Sequence, residues 1–70
     1  MTNAQMYRTQ AAETMKDARR NAAKGNPKLA AIFARQASEA IVIAHGYDVG
    51  RKLGESRAIF AAAMKGLVVA

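Results

Sequence analysis

The sequence has no cysteine, no tryptophan, a single proline and a single histidine. Without cysteine, the chain carries neither a disulfide framework nor a cysteine-based zinc site. No apolar run reaches the roughly 18 residues of a membrane-spanning helix, because Lys65-Gly66 interrupts the longest candidate. The first residues also lack the basic and apolar regions of a signal peptide. We therefore expect a cytoplasmic protein without a transmembrane segment.

Residues that carry chemistry are few and scattered. His45 is the only histidine, and Asp48 follows it at one helical turn. We interpret His45 as a cap at the end of a helix rather than as a general base. Ser38 and Ser56 have no linked histidine and acid, and Gly50-Arg51-Lys52 lacks the spacing of a phosphate-binding loop. The sequence therefore predicts no enzyme activity, no catalytic residue, no metal and no other cofactor.

The apolar content is thin for a chain that folds alone. Among 70 residues, 19 carry a large apolar side chain and 17 more are alanine. A chain of this length buries only about 60% of the surface that its unfolded form exposes. Because alanine adds little buried area, the composition favours one small domain, residues 1–70, that completes its core on a second copy or on a partner.

The charge balance is strongly basic. Eleven Lys and Arg residues against five Asp and Glu residues give a formal net charge of +6. The basic residues are spread along the chain rather than gathered in a tail. Such a positive field suits a nucleic acid, an anionic membrane surface or an acidic protein surface.

Two helices joined by a short turn form the clearest pattern. Thr2 with Gln5 fits a capping box, and strong helix formers continue to Lys24. In the turn that follows, Gly25 suits the left-handed residue after a helix, Asn26 an N-cap and Pro27 the first helical position. The pattern predicts an antiparallel hairpin with helices over about 3–24 and 27–44, the second helix ending at His45-Gly46.

The second helix is apolar over more than half of its circumference, whereas the first has only a narrow apolar stripe. One helix of that kind does not cover so much apolar surface. We therefore predict that the chain is a homodimer. The predicted dimer interface consists of the large apolar residues of the second helix, Leu29, Ile32, Phe33 and Ile41.

The C-terminal third is harder to assign. Gly46, Gly50 and Gly54 recur at every fourth position, and each glycine costs about 1 kcal/mol inside a helix. Residues 46–70 form either one continuous helix or two segments, and we favour a break near Gly54 with a shorter third helix over about 55–65. Leu67 to Ala70 then trail off or pack as a short apolar tail. The fold class is therefore all-α, a helical hairpin plus one C-terminal helix.

Part of the hairpin resembles one tetratricopeptide-type repeat. Small residues and a Gly-Asn turn lie at the offsets of that repeat, at Ala18, Gly25, Asn26, Ala30 and Ala37. The usual aromatic residue and closing proline are replaced by Ala34 and Val42, and no second repeat follows. The resemblance implies a helical hairpin that binds protein.

Residues 46–65 resemble a degenerate helix-turn-helix. Gly50, the turn glycine Gly54 and the apolar Val49, Leu53 and Phe60 match positions of that motif. The resemblance implies that the basic residues Arg51, Lys52 and Arg57 contact nucleic acid. The predicted recognition helix offers almost no side chain that reads a base edge, which favours phosphate contacts over sequence-specific readout.

The favoured interpretation is a small non-enzymatic interaction protein. It would form a homodimer and bind, and inhibit or modulate, a larger protein with an acidic surface. Tyrosine and arginine are enriched at interface hot spots, so the predicted partner-binding residues are Tyr7, Arg8, Arg19, Arg20, Arg35 and Tyr47. Short, cysteine-free, alanine-rich helical chains of this kind resemble accessory proteins of bacteriophages and other mobile elements.

Three alternatives stay open. The first is the DNA-binding protein just described. The second is a helix that lies on a membrane surface through residues 59–70, where Lys65 is the only nearby basic anchor. The third is a structural subunit that only assembles with itself or completes a larger complex.

Overall fold

A computed structural model describes the backbone of residues 1–69 and the side chains of residues 1–67. Over this range the chain forms three helices and no strand: α1 (Asn3–Ala23), α2 (Pro27–Asp48) and α3 (Leu53–Val69). The prediction of an all-α fold, a helical hairpin followed by a third helix, is confirmed.

Local capping fixes the ends of α1 as predicted. The Gln5 backbone N–H donates to Thr2 Oγ1, and the Thr2 N–H donates to Gln5 Oε1, which completes a capping box.

At the other end of α1, Gly25 has φ +79°, and the Asn26 N–H donates to the Asn21 carbonyl at 2.8 Å. This is a Schellman motif, which satisfies carbonyls left free by the helix end. Pro27 then starts α2, although the Asn26 side chain makes no cap hydrogen bond.

The predicted end of α2 at His45-Gly46 is wrong. The helix continues to Asp48, and the break covers residues 49–52 rather than Gly54. Gly50 provides the positive φ of +81°, and the Arg51 N–H donates to the Gly46 carbonyl at 2.7 Å in a second Schellman motif. Gly46 lies inside α2, where Ser56 of α3 packs against the space that a side chain at this position would occupy.

The third helix is longer than predicted at both ends. It begins at Leu53 instead of residue 55 and continues past residue 65 to Val69. Gly54 lies in its first turn, where a missing side chain costs little because nothing packs there. Leu67 is therefore helical, while Ala70 lies outside the described residues.

The three helices form a layer one helix thick. Within residues 1–69, α2 lies in the middle and packs against α1 and α3, which do not pack on each other. The Cα positions span 39 × 34 × 12 Å, so the molecule is about three times thinner in one direction than in the other two. Both broad faces of α2 and of its neighbours therefore meet solvent.

The buried apolar residues are mostly small. They lie at the α1–α2 seam and where α3 begins to pack on α2, and they are Ala4, Ala11, Ala18, Ala37, Ala40, Ile43, Ala44 and Phe60. Alanine seams let helix axes approach closely, but they bury little area per residue. Several large apolar side chains stay half exposed instead, among them Ile32, Ile41 and Ile59.

Candidate interaction surface

An apolar groove runs between α1 and α2 on one broad face of the layer. It encloses about 550 Å³ and is lined by Arg8, Ala11, Ala12, Met15, Ala37, Ser38, Ile41 and Val42. Arg8 is the only charged residue of this lining, and the Ser38 hydroxyl donates to the Ala34 carbonyl at 3.0 Å. The surface that the apolar groove presents to a partner therefore consists mainly of carbon atoms, and the Ser38 hydroxyl already donates within the chain.

A polar groove occupies the opposite broad face. It encloses about 330 Å³ and is lined by Tyr7, Gln10, Gln36, Glu39, Ala40, Ile43 and Arg57. Gln36 and Ser38, two residues apart on α2, point to opposite sides because two helical residues turn by about 200°. The two faces of the same hairpin therefore differ in chemistry: one is apolar, the other amide-rich and charged.

The open end of the hairpin is closed by a clamp of four side chains from α1 and α2. The rings of Tyr7 and Tyr47 stack with centroids 5.9 Å apart and planes inclined by 24°. Next to them, Arg8 Nη2 donates to Asp48 Oδ2 in an ion pair. Three predicted partner-binding residues, Tyr7, Arg8 and Tyr47, thus have partners within the chain.

The other predicted arginines lie on exposed helix surfaces. Arg20 pairs with Asp17 on the same helix at 3.1 Å. Arg19 and Arg35 are exposed, and within the part of the chain that the structure describes neither forms an ion pair. Of the six predicted partner-binding residues, these two keep their charge available to a partner.

The structure does not bring the four predicted dimer-interface residues together. Ile32 and Ile41 are equally exposed, at 51% and 52%, but they are nine residues apart, which is two and a half helical turns. They therefore point to opposite sides of α2, and only Ile41 lines the apolar groove. Leu29 is half exposed near the hairpin turn, and Phe33 is partly buried.

Three residues that line the apolar groove were not among the predicted interface residues. Ala12 and Met15 on α1 line it together with Val42 on α2. Met15 lies on the apolar stripe of the first helix, which was a usable signal. Ala12 lies beside that stripe, and its place in the groove depends on where α2 packs.

The basic residues of the helix-turn-helix resemblance are distributed over two elements. Arg51 and Lys52 lie in the segment between α2 and α3, and Arg57 on α3 lines the polar groove. The segment turns at Gly50, four residues before the glycine that the resemblance assigns to the turn. No ion pair involves these three residues in the described range.

Comparisons with known proteins identify no relative. No protein-family model, curated protein or solved structure matches the chain. No described helix combines the length and apolar character that crossing a membrane requires. Among the described residues, no three histidine, aspartate or glutamate side chains are grouped as ligands for a metal ion.

Proposed function

We propose that this chain is a non-enzymatic helical interaction protein. It acts as a homodimer and binds, and thereby inhibits or modulates, a larger protein with an acidic surface. The observation that carries the proposal is the single-layer fold with an apolar groove open on one face. Stable domains bury their apolar faces between at least two layers of secondary structure, and one copy of this chain supplies only one.

The accessible area supports the second copy quantitatively. One chain exposes 4987 Å², whereas a compact monomer of 7.5 kDa exposes about 4,200 Å². The excess of roughly 800 Å² matches the area of about 800 Å² that each partner contributes to a standard interface. A homodimer therefore accounts for surface that a lone compact domain would have buried.

The charge supports an acidic protein partner for the dimer. Each copy carries +6, and Arg19 and Arg35 have no ion pair in the described part of the chain. Arginine binds carboxylates in a bidentate manner, and a positive field speeds encounter with an acidic surface. Such a chain, which resembles small accessory proteins of bacteriophages in size and style only, would act by occupying a surface rather than by chemistry.

Sedimentation velocity across a concentration series tests the homodimer. We expect a species of twice 7.5 kDa that dissociates only on dilution, as mass action requires. A chain that stays monomeric at concentrations of up to about 100 μM would have a dimer Kd above that concentration, which would overturn the homodimer.

Fluorescence anisotropy tests the acidic partner, with a labelled glutamate-rich helical peptide as the probe. Replacing both Arg19 and Arg35 by alanine should weaken binding at least about tenfold, since two charge-assisted hydrogen-bond donors are lost. The matched control removes two other exposed charges, Lys24 and Lys28. Equal loss in both double variants would show attraction to net charge only and would contradict the assigned residues.

One observation favours a second candidate, DNA binding at the α2–α3 connection. Arg51, Lys52 and Arg57 form no ion pair in the described range, so their charges are available to phosphates. A labelled random duplex, titrated from about 50 to 200 mM salt, should show a steep salt dependence if this candidate holds. The Arg51→Ala, Lys52→Ala double variant should then flatten the slope by about 2. Unchanged binding in that variant would exclude the candidate.

A further inference from the structure

We infer that two copies of this chain dock with their apolar grooves facing each other, Ile41 of each copy packing into the groove of the other. This inference rests on the proposed homodimer and names its interface. Two hairpins stacked in this way make a four-helix arrangement with a shared core. The single layer of each copy then becomes one of two layers around that core.

The lining of the groove suits close packing of two helical layers. Ala11, Ala12 and Ala37 form its small-residue floor and wall, which lets the opposing backbone approach. Met15 and Ile41 are the large side chains that project beside them, and Ile41 leaves 52% of its surface exposed. Such alternation of small and large apolar residues allows side chains of one layer to fill gaps in the other.

Electrostatics selects this face for a second copy. Two chains of +6 repel each other, and contact surfaces that are close to neutral add least to that repulsion. The only charged residue lining the apolar groove is Arg8, and its partner Asp48 neutralises it within the same copy. Self-association on this face therefore brings no uncompensated lining charge into the interface.

The polar groove on the opposite face is a poorer interface for self-association. Gln10, Gln36, Glu39 and Arg57 line it. Docking there would remove amides and charges from water, which costs free energy unless each finds a new partner. The cores of protein interfaces are depleted of charged residues, and the apolar groove has that character.

Ile41→Asp and Ile32→Asp provide a matched test. Both variants replace an isoleucine of α2 that is half exposed, at 52% and 51%, and they place the same charge on opposite sides of the helix. Sedimentation equilibrium should show that Ile41→Asp raises the dimer Kd at least about thirtyfold, as loss of a central hot spot does. Ile32→Asp should change the dimer Kd less than about threefold, as residues outside an interface core do.

Each result of this test supports or overturns the inference. A dimer that survives Ile41→Asp, or that Ile32→Asp weakens as much as Ile41→Asp does, overturns the groove-to-groove interface while the proposed homodimer stands. A wild-type chain that is monomeric throughout overturns both.

If circular dichroism shows that Ile41→Asp has lost helicity, a second pair of variants decides instead: Ala12→Glu in the groove and Thr9→Glu outside it. Both positions are exposed on α1, and only Ala12→Glu should dissociate the dimer.

Discussion

The α1–α2 seam and the α2–α3 corner hold the same central helix to its neighbours in different ways. Buried alanines form the seam along the length of the hairpin. At its open end the two helices are joined by the clamp of Tyr7, Arg8, Tyr47 and Asp48. The corner depends on one close approach, where Ser56 packs against Gly46, and on one large buried side chain, Phe60.

The difference lies in how far each interface tolerates loss of one residue. An interface spread over many alanines loses little when one contact weakens. An interface built on a single glycine and a single phenylalanine concentrates its free energy in two positions. We therefore expect substitutions at the corner to change the free energy of unfolding more than substitutions at the clamp.

The largest expected effect is at Phe60, which is 6% exposed. Phe60→Ala should lower the free energy of unfolding by about 3–5 kcal/mol, the cost of removing a buried aromatic side chain and leaving a cavity. Urea titration at fixed protein concentration measures it. The neighbouring Ile59→Ala is the control, because Ile59 is 45% exposed and should cost about 1 kcal/mol or less. Equal losses at both positions would contradict a concentrated corner.

Gly46 should show the next largest effect. A Cβ there would overlap Ser56 Oγ and lie 3.2 Å from Ser56 Cβ, so Gly46→Ala should lose about 1–3 kcal/mol through overpacking. Gly54→Ala is the control, since nothing lies within 4 Å of its Cβ and helix propensity should stabilise the chain by up to about 1 kcal/mol. Thermal melts of the two variants should shift in opposite directions.

Adding Ser56→Ala to the Gly46 variant tests the stated cause. The double variant removes the overlapping hydroxyl, so Ser56→Ala should stabilise the Gly46→Ala chain by more than it stabilises the wild-type chain. Additive effects of the two substitutions would mean that the loss at Gly46 does not come from contact with Ser56 Oγ.

The same corner shows why three helices were predictable from the sequence, whereas the end of α2 and the start of α3 were not. The first turn was predictable because Gly25, Asn26 and Pro27 signal a helix end and a helix start within three residues. At the second turn, Gly46 and Gly50 are both compatible with a helix end. The packing of α3 on Gly46 decides between them, and residues distant in sequence determine that contact.

The candidate surface was predictable only in part for a related reason. The sequence shows that α2 has more apolar surface than α1 covers, but Ile32 and Ile41 look equivalent in it. Which of them borders a groove depends on where α1 and α3 pack around α2. The sequence marked both Tyr7 and Tyr47 as interface anchors. It did not predict that they stack on each other, because that contact, between residues 40 positions apart, follows from the antiparallel register of the hairpin.

Ser56 carries a smaller prediction of opposite sign. Its hydroxyl is buried, at 1% exposure of the residue, and it has no hydrogen-bond partner within the described residues. Ser56→Ala should therefore raise the free energy of unfolding by about 1 kcal/mol, since an unsatisfied buried hydroxyl is removed. Ser38→Ala is the control, because Ser38 is exposed and its hydroxyl donates a hydrogen bond to the Ala34 carbonyl. This variant should change the free energy of unfolding by less than about 0.5 kcal/mol. Destabilisation at Ser56 would show that its hydroxyl is satisfied in solution.

The smallest expected effect is the ion pair of the clamp, and it completes the contrast with the corner. Arg8 and Asp48 are 49% and 43% exposed, so water screens their attraction. A double-mutant cycle with Arg8→Ala and Asp48→Ala should give a coupling free energy of about 0.2–1 kcal/mol that falls as salt is raised. The pair Asp17 and Arg20 within α1, at 3.1 Å, is the control for a local ion pair. A coupling above about 2 kcal/mol for the clamp would place it beyond exposed pairs, and the hairpin seam would then also depend on a single contact.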